Sequence, residues 1–351
     1  MTLSDKSKPV LVTGATGYVA GWLVNRLLDD GYTVHAGVRD PANTEKLKYL
    51  NELAEQAPGQ IRYFESDLLE TGSYAEGMRD CNVVFHTASP FTLDVDDPQK
   101  QLIDPAYLGT RNVLEQANKT QSVRRVVVTS STTAIFGDNI DMRLSKTGKI
   151  SEEDWNTSSS LTHQPYSYSK TLAEREAWKI VAAQDRWELV TINPSFVVGP
   201  GINPFATSET FTLFKQFGDG SAKPGVPDYP IGVVDVRDVA NAHVAAAFSP
   251  TARGRYIACG CDTSLIAMAN ILREHFGDSY PFPRRTLPKW LIWLAGPLFN
   301  KSLTRKIISK NVGVPLAIDN NKSIRELGMS YRPLALSVTE LFQQLLDNEM
   351  A

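Results

Sequence analysis

Val10-Leu11-Val12-Thr13-Gly14-Ala15-Thr16-Gly17-Tyr18-Val19-Ala20 is the stretch that decides the fold. Its first four residues form a short apolar, β-rich run, the mark of a buried strand. Beyond the glycines, Val19, Ala20, Leu23, Val24, Leu27 and Leu28 recur at spacings of three and four. That stripe predicts an amphipathic helix, closed by Gly31. Glycines between strand and helix let the backbone approach a pyrophosphate, whose charge then rests on the helix N-terminus. Ala20 at the third position still permits close helix–strand packing. No Gly-Lys-Ser/Thr follows, which excludes an ATP phosphate loop.

The same alternation continues outward. Strands are expected at 33–38, 61–64, 83–86, 125–128 and 189–192, with one helix over 43–57 and another ending near Asn118. Continuous apolar strands alternating with helices predict an α/β fold, a doubly wound parallel Rossmann sheet with its ligand crevice at the strand C-termini. After Pro194 the rhythm breaks, and Gly and Pro crowd 199–232. This divides the chain into a dinucleotide-binding domain over 1–195 and a smaller, irregular substrate lobe over 196–351. Residues 1–8 read as a flexible tail, and a strand–helix unit at 232–247 is expected to return to the main sheet.

The end of the second strand distinguishes the nicotinamide cofactors. An NAD enzyme usually places an acid there for the ribose hydroxyls; this chain has Val38-Arg39-Asp40. An arginine favours a 2′-phosphate by charge and by its planar fork of donors, which points to NADP (NADPH). Lys46 follows one short loop later as a second cation, while Asp40 is placed to pair with Arg39.

Tyr166-Ser167-Tyr168-Ser169-Lys170 opens a helix expected to run to about Ala183. Residues four apart share a helix face, so Tyr166 and Lys170 project together, whereas Tyr168 lies about 200° around the axis. Adding a hydride to a carbonyl builds charge on its oxygen, which must then take a proton. A phenol beside an ammonium suits that transfer. The run Thr129-Ser130-Ser131-Thr132-Thr133 at the end of the fifth strand offers hydroxyls to the carbonyl oxygen. Ser131 is the candidate, with Ser130 nearer the cofactor and Thr132 a rival; hydroxyls at strand ends also commonly cap helices.

Composition narrows the field. With 351 residues, 42% hydrophobic, 21% charged and net −3, the chain is an ordinary globular one with no basic block, so no nucleic acid is expected as a partner. The opening Met1–Lys8 is polar, so no secretory leader is expected. The apolar stretch 290–299 is far shorter than the ~20 residues of a membrane span, and reads as a buried or surface-docked helix with no membrane partner. Three cysteines and five scattered histidines imply neither a disulfide framework nor a metal site. The protein is expected to be cytoplasmic, a monomer or homodimer, acting on a small-molecule carbonyl substrate.

Taken together, these residues resemble the extended short-chain dehydrogenase/reductase superfamily across essentially the whole chain. Within it they are most similar to the dihydroflavonol-reductase, cinnamoyl-CoA-reductase and microbial aldehyde-reductase group. The resemblance runs from Val12-Thr13-Gly14 through Gly31-Tyr32-Thr33-Val34 to Val38-Arg39-Asp40-Pro41. It implies that Gly14, Thr16, Gly17, Tyr18 and Val19 surround the pyrophosphate and that Arg39 and Lys46 hold the 2′-phosphate. Asp67 and Leu68 would meet adenine, and Thr87, Ala88 and Ser89, in His86–Pro90, would run along the cofactor. Pro194 and Val197, with Thr207-Ser208 further on, would meet the nicotinamide, and Lys170 the ribose.

Departures shape the expected substrate. Plant cinnamoyl-CoA reductases carry Asn-Trp-Tyr and a cysteine around the tyrosine, where this chain has Gln164-Pro165-Tyr166 and Ser167. From Trp187 to Val236 there is no arginine, but Phe196, Phe205, Phe211, Phe214 and Phe217 occur, as lining or as core. A small or medium uncharged aldehyde, or a ketone, is therefore the expected substrate. The enzymatic alternatives are a cinnamoyl-CoA or dihydroflavonol type of reductase, a hydroxysteroid dehydrogenase and a nucleotide-sugar epimerase or dehydratase. A catalytically silent NADP-sensing protein is the non-enzymatic one.

Overall fold

A computed structural model describes residues 3–89, 95–205, 208–299 and 303–350. The leading strand β1 (Val10–Thr13) is wholly buried, as its apolar run requires. The chain then alternates through α1 (Tyr18–Asp29), β2 (Thr33–Val38), α2 (Thr44–Gln56), β3 (Gln60–Glu65), the single turn α3 (Ala75–Met78), β4 (Val83–His86), α4 (Asp104–Lys119), β5 (Arg125–Thr129), α5 (Pro165–Ala182) and β6 (Glu188–Pro194). Ala20, Leu23, Val24, Leu27 and Leu28 of α1 are all buried against the sheet, so the three-and-four stripe is the packing face.

Beyond β6 follow β7 (Phe196–Val198), α6 (Glu209–Gly218), β8 (Val226–Pro227), β9 (Pro230–Asp235), α7 (Val236–Phe248), β10 (Gly254–Ala258) and β11 (Cys261–Ser264). Then come α8 (Leu265–Phe276), β12 (Thr286–Leu287), α9 (Lys289–Phe299), α10 (Arg305–Asn311), α11 (Asn321–Leu327) and α12 (Leu334–Asp347). The large sheet has seven parallel strands in the order β3-β2-β1-β4-β5-β6-β10. Strand order reverses between β1 and β4, and there the crevice opens.

Two expectations change. The unit at 232–247 does not return whole: β9 pairs with β7 and β11 in a small separate sheet. Only α7 packs back, its Val239, Ala240 and Ala246 joining the main core. The seventh strand is β10, which carries a charged residue, Arg255, at a buried position. Residues 3–8 are also attached rather than a loose tail: Leu3 packs on the core, and its carbonyl accepts from Asn82 Nδ2 at 3.0 Å. Phe211, Phe214 and Phe217 are core of the small lobe, not lining.

Candidate active site

The switch point is built from β1, β4 and their loops. Gly14 has φ +63°, and a Cβ there would lie 3.0 Å from Ala88 Cα, so only glycine fits. Thr13 draws the two strand ends together: its hydroxyl accepts from the amides of Thr87 (3.1 Å) and Ala88 (3.0 Å), and the Thr87 hydroxyl donates to its carbonyl. No side chain caps the N-terminus of α1 at Gly17, which leaves its first amides for an anion. Thr16, Gly17 and Tyr18 line a groove with Lys46 and Tyr49 of α2 and with Ile202 and Asn203.

Arg39 and Lys46 are both exposed at the rim of this crevice. Asp40 does not pair with Arg39; its carboxylate accepts the Ala42 amide at 2.9 Å. Among the described residues no acid neutralises Arg39, so its guanidinium stays open to a phosphate. A dinucleotide with a 2′-phosphate fits this end.

Other predicted residues take definite places. The Tyr18 phenol donates to the Gly199 carbonyl at 2.5 Å and its ring meets Phe211 edge-on, so it braces the loop after β7 against α1. Val19 is half-buried beside the core. Asp67 accepts the Leu69 amide at 2.7 Å, while Leu68 covers Gly109 of α4. Pro194 ends β6, and Val197 lies in β7 with its carbonyl accepting from Thr210 at 2.6 Å. Ser208 caps α6. Pro90 and Thr207 lie outside the described residues.

On α5, Tyr166 and Lys170 come together as their spacing demands, with Lys170 Nζ 5.9 Å from the centre of the Tyr166 ring. Lys170 also donates to Ser89 Oγ at 2.9 Å, which ties the helix to the β4 loop. Burial pushes the Lys170 ammonium down to about 8, partly opposed by Glu174. The Tyr166 phenol is pushed up to about 12, first by desolvation and then by the Glu209 carboxylate. At that value the phenol keeps its proton at neutral pH, the form a proton donor needs.

The serine run divides. Ser130 is buried, and its hydroxyl donates to Glu174 Oε2 at 2.5 Å, which makes it part of a buried polar network. Ser131 is half-buried, and its Oγ accepts the Thr133 amide at 3.1 Å, leaving its own hydrogen uncommitted. Thr132 is buried.

Two buried carboxylates that the sequence did not reveal hold this helix. Glu174 lies one turn beyond Lys170 on the same stripe. It accepts Arg255 Nε at 2.6 Å, Asn193 Nδ2 at 2.7 Å and Trp178 Nε1 at 3.1 Å as well as Ser130. Asp138 lies at the other end, 2.8 Å from His163 Nε2, and accepts Gln164 Nε2 at 2.6 Å, Asn311 Nδ2 at 2.8 Å and Lys310 Nζ at 3.0 Å. Burial pushes its carboxyl up, but those bonds outweigh it and hold the pKa below the usual carboxylate range. They also fix Gln164 in a left-handed conformation, φ +54°, two residues before Tyr166. Neither acid has a local sequence signal, because apart from Trp178, one turn along α5 from Glu174, the partners named come from other segments of the chain.

Residues 10–259 match the model of the NAD-dependent epimerase/dehydratase family. The chain belongs to that family. Its members of the extended short-chain dehydrogenase/reductase plan include the relatives this chain resembles, as its opening motif implied. It is 34% identical over 354 residues to a cinnamoyl-CoA reductase of Medicago truncatula, covering 100% of this chain and 99% of the relative. It is 31% identical over 276 residues to a dihydroflavonol 4-reductase of Gerbera hybrida, covering 79% and 75%. Among solved structures it superposes on the yeast methylglyoxal/isovaleraldehyde reductase Gre2 complexed with NADPH, with a TM-score of 0.80, 26% identity and coverage of 97% and 99%. The family member described here thus pairs a nicotinamide-dinucleotide fold with a tyrosine and a lysine on one helix face.

Proposed function

We propose that this family member is an NADPH-dependent reductase that converts a small or medium uncharged aldehyde, or a ketone, to its alcohol. One observation carries the reading: Tyr166 and Lys170 share a face of α5, with Lys170 anchored to Ser89 in the loop beside the dinucleotide crevice. The nicotinamide, when bound, supplies the hydride. Ser131 holds the carbonyl oxygen through its uncommitted hydroxyl, and Tyr166 delivers the proton that oxygen takes. Lys170 stabilises the phenolate left behind and reaches toward the ribose. Gly14, Thr16, Gly17 and the α1 amides hold the pyrophosphate, and Arg39 with Lys46 hold the 2′-phosphate.

Arg39→Ala tests the cofactor end. Losing charge-assisted bonds to one phosphate costs about 1.5–3 kcal/mol, so NADPH should bind roughly ten- to 150-fold more weakly while NADH binding is unchanged. Titration of both cofactors measures this, and equal binding of the two by the unaltered protein would refute the preference.

For the substrate, the support is electrostatic. Glu209 faces the Tyr166 phenol closely enough to raise its pKa, and the stretch from Trp187 to Val236 has no arginine. A substrate bearing phosphates would be repelled by the first and find no bidentate partner in the second. Aldehydes of the benzaldehyde or cinnamaldehyde type should therefore show higher kcat/KM than the corresponding CoA thioesters. A thioester tenfold better than its aldehyde would favour the cinnamoyl-CoA reading, for which the full-length likeness to the Medicago enzyme speaks.

A further inference from the structure

Helix α9 is built inside out. At 100° per residue, Trp290, Leu291, Trp293, Leu294 and Leu298 fall within an arc of about 160° on one side. All five are exposed, by 68%, 37%, 41%, 56% and 84% respectively. The opposite side presents Ile292, buried against Ile308 and Val312 of the α10 region. A helix at an ordinary protein surface turns polar residues outward; over this arc α9 turns out tryptophan and leucine.

Its electrostatic setting is equally unusual. Residues 279–318 contain seven Lys or Arg and no Asp or Glu, in a chain whose net charge is −3; Arg284 and Lys310 pair with Asp278 and Asp138 from outside the stretch, while Arg305 and Lys306 pair with no acid among the described residues. Arg305 lies over the Trp293 ring at 4.6 Å, so a cation sits beside the apolar face, and Lys306 next to it is exposed. The helix is pinned from behind, since Lys289 Nζ donates to the carbonyls of Ser309 (3.0 Å) and Val312 (2.6 Å). No helix among the described residues is long and apolar enough to cross a membrane.

We propose that α9 docks the protein on an anionic lipid surface, lying in the plane of the interface. Tryptophan and leucine side chains enter the headgroup–acyl boundary, and the cations beside them, Arg305 and Lys306, meet the lipid phosphates. A second copy of this chain is the poorer occupant. A twofold contact through α9 would bring Arg305 and Lys306 toward their own copies with no acid from this region between them. The inference does not rest on the reductase reading, and it replaces the expectation of no membrane partner.

Flotation of the full chain with vesicles tests it. The protein should rise with phosphatidylcholine vesicles containing about 30% phosphatidylserine and stay behind with phosphatidylcholine alone. The triple variant Trp290→Ser, Leu294→Ser, Leu298→Ser should bind the anionic vesicles at least about tenfold more weakly. Arg305→Gln with Lys306→Gln, which leaves the apolar face intact, should weaken binding similarly, and serves alone if the triple variant misfolds. Equal flotation with both vesicle types, flotation with neither, or variants that bind like the parent would overturn the proposal. So would a parent dimer in light scattering that the serine variant dissociates without loss of vesicle binding.

Discussion

Tyr166→Phe should lower turnover by about a hundredfold or more while the dissociation constant for NADPH stays within the error of the unaltered protein. The ring remains to pack beside Lys170, and only the proton donor is lost. Steady-state kinetics on a reactive aldehyde gives the first number and a fluorescence titration the second. Tyr168→Phe is the control, since that residue lies on another face of α5 and should cost little. If Tyr168 proved the more damaging position, the helix-face argument would be wrong.

Glu174→Ala should be the most destabilising single change at the site. It strips the carboxylate partner from Arg255, whose side chain is only 8% exposed, leaves the Ser130 hydroxyl without its acceptor, and removes one of the two acceptors of Asn193 Nδ2. Removing one member of a buried ion pair costs about 3–5 kcal/mol. The midpoint of urea denaturation reports it, and Glu174→Gln, which keeps the shape and part of the bonding, should fall between the two. An alanine variant as stable as the parent would mean that water or a rearranged Arg255 replaces the carboxylate.

The dinucleotide half of the fold was legible because its strands are buried on both faces. Val10–Thr13, Thr33–Val38 and Val83–His86 read as short, mostly apolar runs and occur as strands at those residues. The helix carrying Tyr166 and Lys170 was equally plain, since its spacing alone puts both on one face. What escaped depended on distant pairing. β10 was missed because Arg255 interrupts its apolar run, and that arginine is tolerable only beside Glu174, 81 residues earlier. Ser130 and Ser131 are neighbours of one chemistry, and nothing local says which hydroxyl a carboxylate on α5 will claim. Glu209 and Asp138 likewise acquire meaning only when α6 and α10 are set against the rest of the fold. In α9 the apolar run was visible, but periodicity does not tell whether a partner covers its outer face.

The position of β10 has a consequence for synthesis. The ribosome finishes β6 at Pro194, yet the strand that covers its free edge begins at Gly254. In between it makes β7, α6, β9 and α7, most of which belong to the other lobe. A nascent or truncated chain ending before Gly254 presents a bare parallel edge, the kind of template on which chains misassemble. The two lobes are therefore interleaved in time as well as in space. No single cut releases an intact cofactor domain, and an expression fragment of that half must extend through Ala258.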